Sequence, residues 1–551
     1  MTVATTNTVP AHLDRVRPRK TRLGLVSGGL GAYWPQFPGL RGVLQESARY
    51  VTGRFEEQDC QVVDAGFVSD PQESAVAAET LRQADCDLVV IFLTTYLTSS
   101  MVLPIAQRTN VPVLLIDLQP TEAMDHANTD TGTWLAYCGQ CPLPEVANVF
   151  RRSGIDFRSV SGYLHDENAW RRIDAWVSAA SARAALRHGR LGLMGHLYPG
   201  MLDISTDMTL LSSQFGAHVE VLEFDDLRVR VDAVSERETA DRIALAKEVF
   251  ALDGSVNADD LAWGARVSVG LDRLVADFEL DAMAYYHRGL GGEIHEQLGA
   301  GMILGASLLT ARGIPLAGEY DIRTAVAMLV SDRMGAGGSF TELQALNFRD
   351  GIVEMGHDGP AHLQISSTEP LLRGLGVYHG KRGYGVSVEF DVTHGPVTTF
   401  AVGQNRDGSY SFIASEGEVV PGPLLAIGNT TSRSTSAGTR GSGRTSGVPP
   451  GPATTGRCAS ATGPARSRPQ QSCSASNSSG SEVKNLEGET RSERHEHRRR
   501  TDRTVQQTGR RRPEHQLRRR QHLRQGTDVD PVTGAEVDLV WVKVPAETSA
   551  R

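Results

Sequence analysis

The fold class this sequence predicts is α/β: two doubly wound parallel-sheet domains followed by a smaller, mostly β domain and then a disordered tail. Three observations carry that prediction. From Arg22 onward, short continuous apolar runs alternate with stretches of helical period; a parallel sheet covered by helices on both faces needs runs that are apolar at every position. Over residues 374–403 the texture changes to Val, Tyr, Thr and Gly with period-two stretches, as in strands with one wetted face. After Arg433 no apolar period survives.

The elements follow in order. Residues 1–20 are polar, Pro-punctuated and expected to be disordered. Runs at 22–27 (RLGLVS), 61–68 (QVVDAGFV), 87–93 (DLVVIFL) and 112–118 (VPVLLID) predict the strands of an N-terminal α/β domain, 21–175. A second series, 176–345, has strands at 190–195 (RLGLMG), 218–224 (HVEVLEF) and 280–286 (LDAMAYY), a long helical region over 235–278 and a helix over 292–311. The C-terminal β domain, 346–433, carries a hairpin turn at Asn405-Arg-Asp-Gly408 and is incomplete. Between residues 434 and 527 Ile, Met, Phe, Trp and Tyr are all absent. Such a stretch buries too little surface to offset chain entropy, so 434–551 is read as a disordered tail or as the product of a reading frame lost near Arg433. Residues 526–551 have protein-like texture again, and resemble a strand-turn-strand piece of rhamnulose-phosphate aldolase and dehydrogenase fusions.

A chain of 551 residues is too long for a single core. Residues 1–433 hold 35 Lys and Arg against 53 Asp and Glu, whereas 434–527 hold 19 against 7. An acidic body excludes a nucleic-acid or anionic-membrane surface, which needs a basic face. No run approaches the roughly 20 apolar residues of a membrane span, and Met1–Lys20 lacks the apolar core of a signal peptide, so a cytoplasmic address is expected. Of the six cysteines only Cys138-Gly-Gln-Cys141 has ligand or redox spacing; with no second pair or histidine cluster beside it, it is read as two reduced thiols.

Chemistry concentrates in three short segments. Gly318-Glu319-Tyr-Asp321-Ile-Arg-Thr-Ala places Glu319 after the short apolar run IPLA and before a helix. Side chains at such strand ends face the crevice where α/β proteins bind ligands. Gly337-Gly-Ser-Phe-Thr-Glu342 and Glu354-Met-Gly-His357 then supply a second carboxylate and an imidazole. Together, in this order and spacing, they resemble the L-arabinose isomerase and L-fucose isomerase superfamily, arabinose isomerase-like in particular, over roughly residues 20–433. Tyr33-Trp-Pro-Gln36-Phe-Pro-Gly-Leu and Gly195-His196-Leu-Tyr-Pro-Gly-Met-Leu-Asp203 resemble further segments of these isomerases.

The resemblance implies an aldose-ketose isomerase acting on a pentose or 6-deoxyhexose, with Glu319, Glu342 and His357 ligating Mn²⁺ (Mg²⁺ or Co²⁺ as alternatives). It also makes Glu319 and Glu342 the acid/base pair. Tyr33, Gln36, His196 and Glu293 become candidate substrate contacts, although Glu293 also reads as a first-turn helix glutamate and His196 as a cap. A homo-oligomer, trimer or hexamer, is implied as well. One departure stands out: the family's fourth ligand, a histidine in an H-H context near the C-terminus, has no counterpart, and His495, His497, His515 and His522 sit in the arginine-rich tail. The rival reading is therefore a non-catalytic sugar-binding protein or an inactive relic. The turn Ser27-Gly-Gly-Leu-Gly31 lacks the third glycine of a dinucleotide fingerprint, with Trp34 in its place.

Overall fold

The computed structural model describes residues 13–16, 20–58, 60–287, 293–357, 359–375, 377–378, 381–382, 384–423, 425, 430–436, 457–462, 523–529 and 536–542. In the N-terminal domain, strands β1 (Thr21–Gly28), β2 (Cys60–Val68), β3 (Leu88–Leu93), β4 (Val113–Gln119) and β5 (Phe157–Tyr163) form one sheet in the order β2-β1-β3-β4-β5. All its pairings are parallel. The central β3, LVVIFL, is buried at every position, which is why its sequence shows no alternation. Helix Pro71–Gln83 starts where Asp70 accepts a hydrogen bond from the Glu73 amide. Asp130, Asp166 and Asp207 cap later helices in the same manner.

Helix Glu167–His188 runs across residue 175, where the sequence places a domain boundary. Its first half puts Trp170, Ile173, Val177 and Ala180 into the core of the N-terminal sheet. Its last turns put Ala182 and Leu186 into the core of the next one.

That second core belongs to a sheet of strands in the segment that holds β6 (Arg190–Gly195), β7 (His218–Leu222), the outlying β8 (Ala251–Leu252), β9 (Ala282–Tyr286) and β10 (Leu316–Ala317). Four of them form a parallel sheet, β10-β9-β6-β7, whose strand order reverses between β6 and β9. The continuous helical region expected over 235–278 is corrected here to two helices, Glu236–Val249 and Ala258–Asp277, separated by β8. Tertiary pairing overrides helix propensity at this point: the amides of Ala251 and Asp253 donate to the carbonyls of Pro370 and Leu372, and Asn257 recaps the chain.

The third region is antiparallel apart from one contact. Strands β11 (Ser339–Asn347), β12 (Ile352–His357), β13 (Leu371–Gly374), β14 (Val377–Tyr378), β15 (Lys381–Arg382), β16 (Val386–Glu389), β17 (Gly395–Gln404), β18 (Tyr410–Val419), β19 (Thr430–Ser436) and β20 (Arg457–Thr462) follow in order. Six close into a barrel, β11-β12-β19-β18-β17-β20, while β13 pairs with β16 and, in parallel, with β8. The β17-β18 turn falls where Asn405–Gly408 predicts it, with Gly408 at φ +86°. Most of the stretch read as tail, and residues 1–12, lie outside the described residues. Two pieces of that tail are described beyond β19: β20, and a separate unit holding the antiparallel pair β21 (Leu523–Val529) and β22 (Glu536–Val542).

Candidate metal centre

Glu319 follows β10 by two residues, and the chain turns sharply there. Glu319 and Tyr320 both adopt left-handed backbone angles, φ +60° and +67°. A non-glycine residue rarely holds that conformation, and two in succession mark a turn imposed by its surroundings. The Tyr320 amide donates to the Tyr285 carbonyl at 3.0 Å, and the Asp321 amide to the Gly318 carbonyl at 3.0 Å. Asp321 then caps helix Ile322–Arg333, accepting from the Arg323 and Thr324 amides and from the Thr324 hydroxyl. Burial pushes the Asp321 carboxyl up, against the opposing pull of Arg323 and Thr324.

Glu342 and His357 come from the barrel. Glu342 on β11 stands opposite Gly356 on β12, which places His357 one residue further along the neighbouring strand. The buried Phe340 ring meets the His357 imidazole edge-on, 4.3 Å between centroids. Both rings lie against Gly318: a Cβ there would stand 3.7 Å from the His357 ring and 3.4 Å from Phe340. The imidazole thus packs against both the Glu319 turn and the first barrel strand.

Donor atoms of Glu319, Glu342 and His357 all lie within 4.8 Å of one another. The His357 Nε2 stands 3.9 Å from a Glu319 oxygen, and each of these two side chains is 8 % exposed. Two donors on opposite sides of one cation, each bonded at about 2.1 Å, are about 4 Å apart, so this spacing fits a single ion. Two carboxylate oxygens and one imidazole suit a hard to borderline divalent cation better than a thiophilic one. Among the described residues the cluster has these three donors. His495, His497, His515 and His522 lie outside the described residues.

The other candidates divide. His196 leaves the C-terminal end of β6 at the strand-order reversal, exposed, its ring edge-on to Tyr286 at 5.4 Å. Tyr286 also stacks at a tilt on Tyr198 at 4.6 Å, an aromatic group that sequence reasoning passed over although LDAMAYY holds it. Glu293 is the exposed N-cap residue of helix Ile294–Ala311 and makes no side-chain capping bond. Tyr33 and Gln36 lie in the N-terminal domain after β1; Gln36 donates to the Ala32 carbonyl at 2.7 Å, and Tyr33 meets Phe37 edge-on. Phe340, which fixes the imidazole, was also missed; its signal was its place inside the Gly337–Glu342 segment.

No protein-family model matches the chain. Over 348 residues it is 25 % identical to the L-arabinose isomerase of Nocardioides sp., covering 61 % of this chain and 68 % of that protein. Over 277 residues it is 26 % identical to L-arabinose isomerase 1 of Bacillus licheniformis, covering 50 % and 55 %. Over 290 residues it is 24 % identical to the sulfoquinovose isomerase of Alkalicoccus urumqiensis, covering 52 % and 63 %. The matched part thus spans between about half and two thirds of these relatives' lengths. Among solved structures, a periplasmic solute-binding protein from Actinobacillus succinogenes with bound D-allose aligns at 11 % identity and a TM-score of 0.15, covering 54 % of this chain and 78 % of that one. A likeness that slight carries no argument. The sequence matches carry one: this chain is arabinose isomerase-like in sequence.

Proposed function

We propose that the chain is a divalent-metal aldose-ketose isomerase acting on a pentose or 6-deoxyhexose such as L-arabinose or L-fucose. The observation that carries this reading is the convergence of Glu319, Glu342 and His357 from three separate chain segments on one point. These residues would hold the ion, with Mn²⁺ favoured by the imidazole and Mg²⁺ or Co²⁺ as alternatives. When bound, such an ion supplies Lewis-acid polarisation of a sugar carbonyl and charge stabilisation of the enediolate.

The proton movements fall to the protein. Interconversion takes a proton from C2 of the open-chain aldose, delivers one to C1, and moves another from the C2 hydroxyl to the C1 oxygen. Two carboxylates on one site suffice, one shuttling between the carbons and the other between the oxygens. Glu319 and Glu342 are the pair available, and the near-complete burial of Glu319 keeps water from exchanging with a proton in transit. His357, clamped by Phe340, acts as a fixed ligand. His196 and Glu293, at the open end of the second sheet, and Tyr33 and Gln36 on the N-terminal domain are the proposed substrate contacts. A cytoplasmic address and assembly as a trimer or hexamer belong to the same reading and rest on the resemblance; no helix among the described residues is long and apolar enough to cross a membrane.

A second reading, an inactive or purely sugar-binding relic, is favoured by one observation: three donors rather than four among the described residues. The test is ketose formation from a panel of aldoses, including a sulfonated one, with Mn²⁺ and with Glu319→Gln and Glu342→Gln as controls. Turnover by the parent chain that both variants lose supports the isomerase. Folded protein without turnover on any aldose rejects it in favour of the relic.

A further inference from the structure

The two cysteines that composition alone reads as ordinary thiols occupy a prepared geometry. Cys138 opens a 3₁₀ turn, Cys138–Gln140, and the Cys141 amide donates to the Cys138 carbonyl at 3.2 Å. Residues three apart in such a turn project to the same side with a rise of about 6 Å, and a disulfide spans Cα atoms about 4.4–6.8 Å apart. Gly139 locks the turn onto the sheet. A Cβ on it would fall 2.2 Å from the Leu93 carbonyl oxygen and 2.4 Å from an Asp117 oxygen, so the main chain lies flush against the ends of β3 and β4.

The two sulfurs are unequal. Cys141 is exposed and stands immediately before helix Pro142–Arg152, open to a small disulfide from solvent. Cys138 is buried, packed with Leu40, Leu44, Leu135 and Ala136, and burial together with the charge of Cys141 pushes its thiol up to about 12. An exposed attacking thiol beside a buried resolving one is the arrangement of a dithiol that exchanges with disulfides. Neither sulfur belongs to the metal centre, and the proposal stands independently of the isomerase reading.

We propose that Cys138 and Cys141 are a reversible redox modification site, oxidised to an intramolecular disulfide by exchange with a low-molecular-weight disulfide. The Cys141 thiolate attacks one sulfur of the small disulfide, forming a mixed disulfide and releasing one small thiolate. That step removes the charge and the hydrogen bond of Cys141, which after burial raise the Cys138 thiol. Cys138 then loses its proton and displaces the second small thiolate. Two protein thiols are oxidised to one disulfide, one small disulfide is reduced to two thiols, and the two protons end on the released thiols. Tyr33 is close enough to both cysteines that their charges raise its phenol, after the larger effect of burial. Tyr33 and Trp34 pack against the same apolar cluster as Cys138, so the modification lies beside the turn that bears them.

The test treats the folded, reduced full-length chain with oxidised glutathione, alkylates remaining thiols and maps the peptide holding residues 138–141. The expected product is lighter by two hydrogens, carries neither alkyl group nor glutathione, and returns to the dithiol with dithiothreitol. Cys138→Ser is expected to stop at a stable glutathione adduct on Cys141, and Cys141→Ser to leave Cys138 unreacted; circular dichroism confirms that each variant is folded. Full alkylation of both cysteines after treatment overturns the proposal. So does a parent chain that stops at the glutathione adduct, and the parent measurement decides even where a variant fails to fold.

Discussion

The imidazole of His357 and the carboxylate of Glu319 face each other at 3.9 Å although they arise from different domains, one from the barrel and the other from the end of the second parallel sheet. That separation is too long for a hydrogen bond and fits two donors to one divalent ion. Glu319→Gln and Glu342→Gln are each expected to weaken Mn²⁺ binding at least about 100-fold, since each removes a direct donor and even indirect supports cost roughly 10–100-fold. Calorimetric titration of the purified chain measures this without reference to turnover. Parent-like titration by both variants would remove the trio as the metal site.

Phe340 is 2 % exposed and holds the His357 ring edge-on. Phe340→Ala is expected to cost about 3–5 kcal/mol of stability through the cavity it leaves. It should also loosen the imidazole, so that Mn²⁺ affinity falls more than for Phe340→Leu, which retains most of the volume. Equal affinities for the two variants would mean that packing on this face does not orient the ligand.

Asp332 ends the helix that Asp321 begins, and it is nearly sealed off. Burial alone would raise its carboxyl, but the His362 imidazole 3.8 Å away and the guanidinium groups of Arg15 and Arg333 hold it well below the usual carboxylate range. A carboxyl depressed by folding stabilises the protein above its unfolded pKa of about 3.9, and that stability is lost as pH falls through the folded value. Asp332→Asn is therefore expected to cost roughly 3 kcal/mol at neutral pH, the scale of a broken buried pair. The difference from the parent should shrink in strong acid. Denaturant melts across pH check it, and a constant difference at all pH values would contradict the ionic account.

Asp117 behaves in the opposite sense. Buried on β4, it is pushed up to about 6 by desolvation, with Ser161 opposing. The unfolded chain loses this proton near pH 3.9, so stability falls as pH rises from there to about 6, and the cost is constant above. Asp117→Asn is expected to raise stability by roughly 3 kcal/mol above pH 6 and to leave it unchanged below pH 4. A gain of the same size at both ends would point to packing instead.

Legibility followed the physics of each element. Strands β1, β3 and β4 announced themselves because burial on both faces makes their sequences nearly continuously apolar. Edge strand β5, Phe-Arg-Ser-Val-Ser-Gly-Tyr, buries only Val160 and left no such run. The break at Ala251–Leu252 was hidden because its cause, the carbonyls of Pro370 and Leu372, lies more than a hundred residues away. At the site, the order of Glu319, Glu342 and His357 was visible through the family resemblance. The left-handed turn that aims Glu319 was not, because neither Glu319 nor Tyr320 is a residue type that favours it. The exact role of Glu293 was ambiguous from sequence, and the structure puts it at the N-cap of its helix.

The helix Glu167–His188 lends Trp170 to one hydrophobic interior and Leu186 to the other. A gene cut at codon 175 would hand each fragment half a rod and an open wound, an apolar seam with no cover. The two parallel-sheet halves thus share a spine: neither is a detachable module, and loosening either one at this helix exposes the other.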